Sequence, residues 1–545
     1  MTRNRPTAPR SLRAAALDPS ARPAPMAGVP TIGLMTAACF AAALPHGAQA
    51  QTAAPIQLPG LEVESAAPED GDGATGAGAP AQTATTAQTG GASDASGAGD
   101  APAVAAGANP YADPAAPWKV DASANSMLRQ PLVDTARTVT AIPKEVLEAK
   151  GATSVRELAR TTPGLTLGTG EGGNAFGDVL FIRGFKSSND SFIDGVRDSG
   201  VTIRENFMTE QVEILKGPSG TIAGRGVTGG AVNLVTKKPQ AENFVNADIT
   251  VGTDAKKRTS IDVNRAIADD FRVRFNAMWQ DSDVAGRDDV YDDRWGAGFG
   301  VEFTPTEKLT FNLDYYHLSV SQMPDWGVPW DGDANAPATE TLGVDRSTFY
   351  GVAGRDFQDA GQDVGTFTVG YDFGGGLKLS NRTRLSQSRN DYVLTAPSST
   401  DTSAADPADW TANVSFKSNN QTNDVFANVT EATWDTTAFG MKHSLVFGVD
   451  LSQEQVEARG YTNLTSEDYE PPAGQRGCVV SLLNPDPVAA GCWVSGTPLV
   501  LSDTPTNVKV RTYSAYVGDT VELMPSLSVN AGLRFDKYAI EKTGG

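Results

Sequence analysis

Groups that could do chemistry are few in this chain and widely spaced. Outside the N-terminal segment there are two histidines, His317 and His443, far apart and without Cys or Glu at ligand spacing, so the protein is not expected to bind a metal itself. There is no nucleophile elbow, no His-Glu-x-x-His and no Gly-rich nucleotide loop. Gly217, Gly220, Gly224, Gly226, Gly229 and Gly230 lack a Gly-Lys-Ser/Thr and a following helix, which points to tight turns and close packing rather than a phosphate cradle. An enzyme is therefore not expected. The remaining groups are ones that hold or pull. Cys478 and Cys492 flank a short polar, Pro/Gly-rich segment, which suggests a disulfide-pinned loop in an oxidising compartment. In Leu58-Pro-Gly-Leu-Glu-Val-Glu64, Leu61 and Val63 fall on one side of an extended segment that can add as a strand to a partner's sheet edge.

These groups are positioned by distinct stretches. Arg3, Arg5, Arg10, Arg13 and Arg22 precede an apolar run, Gly28–Leu44, and a small-residue site, Ala48-Gln-Ala50; residues 1–50 read as a secretory signal, with Met26 as an alternative start. Residues 51–117 hold the Leu58–Glu64 segment and a low-complexity Ala/Gly/Thr/Ser/Pro/Asp tract. Such a tract cannot bury enough apolar surface to offset its ordering entropy and reads as a flexible tether. The 545 residues carry 65 Asp+Glu against 44 Lys+Arg, net −21, which argues against a nucleic-acid partner.

Residues 118–239 read as one compact mixed α/β domain. Pro143–Lys150 is a short helix with Pro at its first position and Gly151 past its end, and Ser154-Val-Arg-Glu157 is a capping box for a second. Short strands such as Val179–Arg183 and Gln211–Leu215 follow, between glycine turns. From Phe244 the texture changes. In Phe271–Gln280, Leu309–Tyr315 and Leu527–Asp536 apolar residues alternate with mostly polar ones, the period of a strand with one apolar face. No later stretch is apolar enough to cross a bilayer as a helix, so a membrane location requires a β-barrel. Tight links at Ala268–Asp270, Pro305–Lys308, Gly374–Gly376, Thr436–Met441 and Met524–Ser526 alternate with long ones at Ser321–Asp363, Ala396–Asn420 and Gly460–Thr506. That asymmetry belongs to outer-membrane barrels; a soluble β-sandwich lacks it. About 11 strands fit into residues 240–545, too few to close around a domain, so about half of an antiparallel barrel of about 22 strands is expected here.

The middle region resembles the plug of TonB-dependent siderophore receptors. The residues that carry the likeness are Gln130–Val139, Ile182-Arg-Gly-Phe185, Phe192-Ile-Asp-Gly195, Glu210–Pro218 and Gly224–Thr236. Val284–Asp288, Arg294-Trp-Gly296, Pro324–Trp330, Phe349-Tyr-Gly351 and Gly354-Arg-Asp356 are similar to the catecholate branch. The resemblance implies a plug inside an outer-membrane barrel and import of an iron(III)–siderophore, with TonB, the inner-membrane energy transducer, drawing on Leu58, Pro59, Gly60, Leu61, Glu62, Val63 and Glu64 as the TonB box. It further implies that Arg183 and Lys216 act as a plug latch on barrel acids. A ferric catecholate is anionic and aromatic-rimmed, so Asn174, Phe176, Arg204, Trp326, Trp330, Tyr350 and Arg355 are the expected ligand contacts. Neither a resident cofactor nor a nucleic-acid partner is expected, and lipid is the surrounding medium. The alternatives are a receptor for another substrate (hydroxamate siderophore, haem or cobalamin), a passive porin, and a surface β-protein.

Overall fold

The computed structural model describes residues 107–544, apart from 114–115, 169–176, 188–189, 201 and 473–476. The expected signal, the Leu58–Glu64 segment, Asn174 and Phe176 lie outside the described residues. Two parts follow one another along the chain: a small mixed domain and a long antiparallel sheet that lies against it.

The mixed domain is built on a five-stranded sheet in the order Thr138–Pro143, Thr209–Lys216, Gly230–Thr236, Ser191–Ile193, Val196–Arg197. Its apolar face, including Ile142, Val212, Ile214, Val232 and Leu234, packs on Leu147, Val155 and Leu158 from helices Lys144–Ala149 and Val155–Arg160. The capping box forms in a modified way. Ser154 Oγ accepts from the Glu157 backbone N–H at 3.3 Å, while the Glu157 carboxylate accepts from Thr153 N–H at 2.6 Å, one residue before the cap. Ordered packing begins upstream of Trp118: the Asn109 side chain is buried against Glu210 and Gln211.

Eleven strands then run in chain order, each antiparallel to the next. They are β1 (Phe244–Val251), β2 (Lys257–Ala268), β3 (Phe271–Asp281), β4 (Asp292–Thr306), β5 (Leu309–Gln322), β6 (Phe357–Gly374), β7 (Leu377–Asp401), β8 (Thr411–Ala438), β9 (Met441–Arg459), β10 (Thr506–Met524) and β11 (Leu527–Thr543). The path leaves β1 and β11 at its two ends. Parity sets the faces. On β3, Phe275 and Trp279 point away from the mixed domain and stay 46% and 42% exposed, while Arg274, Asn276 and Met278 point toward it and are buried. The outward rings continue across strands, Phe299 on Tyr315, Phe303 on Phe311, Phe311 on Phe367, as neighbours on one face should.

All five tight links fall where expected. One long link does not. Ala396–Asn420 is mostly strand: β7 and β8 stay paired out to Asp401 and Thr411. At 25 and 28 residues they far exceed the roughly ten that cross a membrane. The protruding hairpin collects strands from both other loops, Cys478–Ser481 on Thr411–Val414 and Trp330 on Ser399.

Candidate functional site

Where the mixed domain meets the inner face of the sheet, charge is buried and paired. The even positions of β2, β3 and β4 place Arg258, Arg274 and Arg294 inward. The Glu205 carboxylate, with its side chain fully buried, accepts from Arg258 at 2.8 Å and from Arg294 at 2.6 Å. Arg274 reaches Glu210 at 3.1 Å, and Glu210 also holds Lys144 at 2.7 Å. Wall acids complete the shell, Asp262 on Arg274 at 2.7 Å and Asp292 on Arg294 at 2.6 Å. The polarity reverses at the domain's end, where Lys237 binds Asp262 at 3.0 Å and Lys238 binds Asp314 at 2.7 Å. A buried charge is tolerated only when paired and hydrogen-bonded, so these contacts fix the domain's register in the wall.

Asp194 is the hub of a second grip. Asp194-Gly195 forms the two-residue turn between Ser191–Ile193 and Val196–Arg197, with φ of 48° and 76°, the left-handed pair such a turn requires. The Asp194 carboxylate takes Thr236 N–H at 2.9 Å, Thr236 Oγ1 at 2.7 Å and Lys238 Nζ at 3.1 Å. From β7, Arg382 donates to the Asp194 carbonyl at 2.5 Å and Arg384 to the Ile193 carbonyl at 2.9 Å. Burial alone would raise the Asp194 carboxyl; Lys238, Arg384 and Arg382 outweigh it and hold the group well below the usual carboxylate range.

The expected contacts divide. Cys478 and Cys492 are disulfide-bonded, with 5.7 Å between their Cα atoms. Trp330 stands 51% exposed in the outer loops. Trp326 packs on Tyr392, Leu394 and Ala396, with the Lys417 ammonium 5.5 Å from its ring centre. Three of the expected contacts have internal partners. Arg204 is 3% exposed and bound by Asp198 at 2.7 Å and Asp178 at 3.5 Å. Tyr350 is buried and donates to the Leu482 carbonyl at 2.5 Å. Arg355, 4% exposed, lies over Phe416 at 3.9 Å and Trp493 at 5.2 Å, and donates to Asp356, Thr395 and the Leu464 carbonyl. It ties the three outer loops to one another. Arg183 sits exposed on a turn with φ of 51°, beside Lys216, whose ammonium is pushed down by burial and by Arg183. Among the described residues neither makes an ion pair.

Glu205, Glu210, Asp194, Lys237 and Lys238 were not singled out by sequence reasoning. A signal existed: three arginines at the inward parity of β2–β4 demand carboxylates inside the lumen. Among the described residues no three His, Cys, Asp or Glu converge to hold a metal.

Comparison with known proteins agrees with this geometry. Residues 131–231 match the family model for the TonB-dependent receptor plug domain, and residues 294–545 that for the TonB-dependent receptor-like β-barrel. The chain is 30% identical over 433 residues to the catecholate siderophore receptor Fiu of Escherichia coli O157:H7, covering 77% of this chain and 55% of that protein. It is 30% identical over 430 residues to PiuA of Acinetobacter baumannii, described as a probable TonB-dependent siderophore receptor, covering 78% and 57%. The chain thus spans a little over half the length of these relatives. The closed-form crystal structure of Fiu from E. coli K12 superposes with a TM-score of 0.71 at 28% identity, covering 80% of this chain and 60% of that one.

Proposed function

We propose, from the premise that this chain belongs to the TonB-dependent receptors, that the whole protein imports a ferric siderophore of the catecholate class, drawing its energy through TonB. The family is one of outer-membrane β-barrels, and the alternating strands fit that location. One observation carries the reading. The domain inside the sheet is fastened to the wall by buried ion pairs around Glu205 and Glu210. A passive porin has no use for a plug held this firmly, whereas a receptor opened by pulling does. The catecholate class is supported by identity of 30% over 433 residues to a catecholate receptor, against 26% over 215 residues to a ferrioxamine receptor.

In this reading the outer loops receive the iron(III) complex, with Trp326 and Trp330 as contacts. Leu58–Glu64 pairs as a strand with TonB, and Arg183 and Lys216 latch the plug to barrel acids. Iron is cargo, carried already chelated. The test is uptake of labelled ferric catecholate and ferric hydroxamate by the full-length receptor, with and without residues 58–64. We expect catecholate uptake that the deletion abolishes while binding persists. Uptake that survives the deletion would refute energised import, and a hydroxamate preference would refute the substrate class.

A further inference from the structure

Partway along β7 and β8 the outward face of the wall turns polar. The direction of each side chain follows from its neighbours. Arg382 and Arg384 turn inward to the Asp194 and Ile193 carbonyls, and Ala427 and Val429 turn inward onto Val196. The alternate residues Asn381, Thr383, Asn428 and Thr430 therefore face outward. They lie between Leu379 and Leu385 on β7 and between Phe426 and Trp434 on β8, the apolar span that a tilted strand presents to hydrocarbon. Residues paired with them on the adjoining strands are apolar, Val369 and Phe367 on β6 and Leu451 and Val449 on β9. Both strands lie amid the sheet, far from its two ends.

Each strand carries Asn-x-Thr, and antiparallel pairing sets Asn381 opposite Thr430 and Thr383 opposite Asn428. The two carboxamides close on each other: Asn381 Nδ2 donates to Asn428 Oδ1, and Asn428 Nδ2 to Asn381 Oδ1, both at 3.1 Å. Their second hydrogens go to Thr430 Oγ1 at 2.7 Å and Thr383 Oγ1 at 2.8 Å. Mutual bonding lowers the cost of amides in hydrocarbon without removing it. Among the described residues the Thr430 hydroxyl hydrogen and one lone pair of Asn428 Oδ1 are left over. At that depth only another chain resident in the bilayer can meet them.

We propose that this face is a contact between two copies of the receptor, the β7–β8 patches meeting across a two-fold axis along the membrane normal. The patch is neutral, so it selects no oppositely charged partner. It keeps both a spare donor and a spare acceptor, as a self-complementary contact requires. A second copy also brings its patch to the same depth. Phe367, Phe426, Val449 and Leu451, each 39–49% exposed, supply an apolar border around it. The inference rests on the outer-membrane location and not on import.

Energy transfer between copies of the full-length receptor in phosphatidylcholine vesicles tests it. Donor and acceptor dyes are attached at Ser403→Cys, in the β7–β8 loop, or at Thr253→Cys, in the β1–β2 loop. We expect transfer above random mixing that persists as lipid is added and is stronger at Ser403→Cys. Asn381→Leu with Asn428→Leu should bring it at least tenfold closer to random mixing, with the heat-modifiable mobility of a folded barrel retained. Transfer at the random level in the parent, stronger transfer at Thr253→Cys, or unchanged transfer in the leucine pair overturns the proposal; the amides then serve only to hold the β7–β8 register. Should the leucine pair fail to fold, Thr430→Val, which removes the spare donor alone, decides: undiminished transfer overturns the contact. A receptor that does not enter the vesicles overturns it together with the membrane location.

Discussion

Glu205 shows how a single side chain can carry much of an interface. Its two oxygens serve two arginines from strands separated in the chain, and its side chain is wholly buried. Glu205→Ala leaves Arg258, among the described residues, with the neutral Gln280 as its remaining hydrogen-bond partner, and we expect about 3 kcal/mol of lost plug stability. Asp435→Ala, which removes the partner of Arg129 in a pair 21% and 52% exposed, should cost about 1 kcal/mol or less. Urea denaturation of the purified receptor, with protease protection of the plug as readout, compares the two. Asp194 gives a pH signature. Its carboxyl is held below its unfolded value of about 3.9, so its contribution is complete above that pH and is lost as pH falls toward the native value. The stability gap between the parent and Asp194→Asn should stay constant from pH 7 to about 4 and shrink below. The cysteine pair was legible from residue type and spacing. The internal partners of Arg204, Tyr350 and Arg355 are not legible in sequence, because a charged or aromatic residue in a loop looks the same whether it faces solvent or packs on Asp198, the Leu482 carbonyl or Phe416.

At the scale of elements, signals that depend on nearest neighbours survived and those set by distant ones did not. The Ser154 cap, the five tight links and the strand parity are local, and all appear. The protruding β7–β8 hairpin carries no strand signal in sequence, because Ser398-Ser-Thr-Asp401 and Thr411-Ala-Asn413 have no alternating apolar face. Its order comes from strands far away in sequence, and Cys478–Ser481 is one of them. Cys492→Ser should therefore lose about 3 kcal/mol of local stability in the entropic picture of a short closed loop. Hydrogen exchange should then rise at residues 478–481 and 411–414 while the wall strands stay protected. Unchanged exchange there would show that the apolar cluster around Tyr350 and Leu482, and not the disulfide, orders the outer loops.

For the molecule as a whole, period two specified the wall because one of its faces must be apolar to meet lipid. The expected count of strands is the count observed, and the plug's place beside the inward face follows from the same alternation. The individual plug–wall pairs did not follow, since parity fixes a direction and not a partner. Phe275→Arg, on the outward face of β3, should cost about 2–4 kcal/mol near the bilayer centre. Folding into lipid vesicles, followed by heat-modifiable gel mobility, measures this; a full-strength folded band would argue that β3 does not face hydrocarbon. The wall arginines carry a last implication. Arg274 and Arg294 keep Asp262 and Asp292 of their own sheet whether or not the inner domain is seated. A lumen vacated by that domain would stay an orderly, mixed-charge conduit that water fills readily and that leaks small ions of either sign.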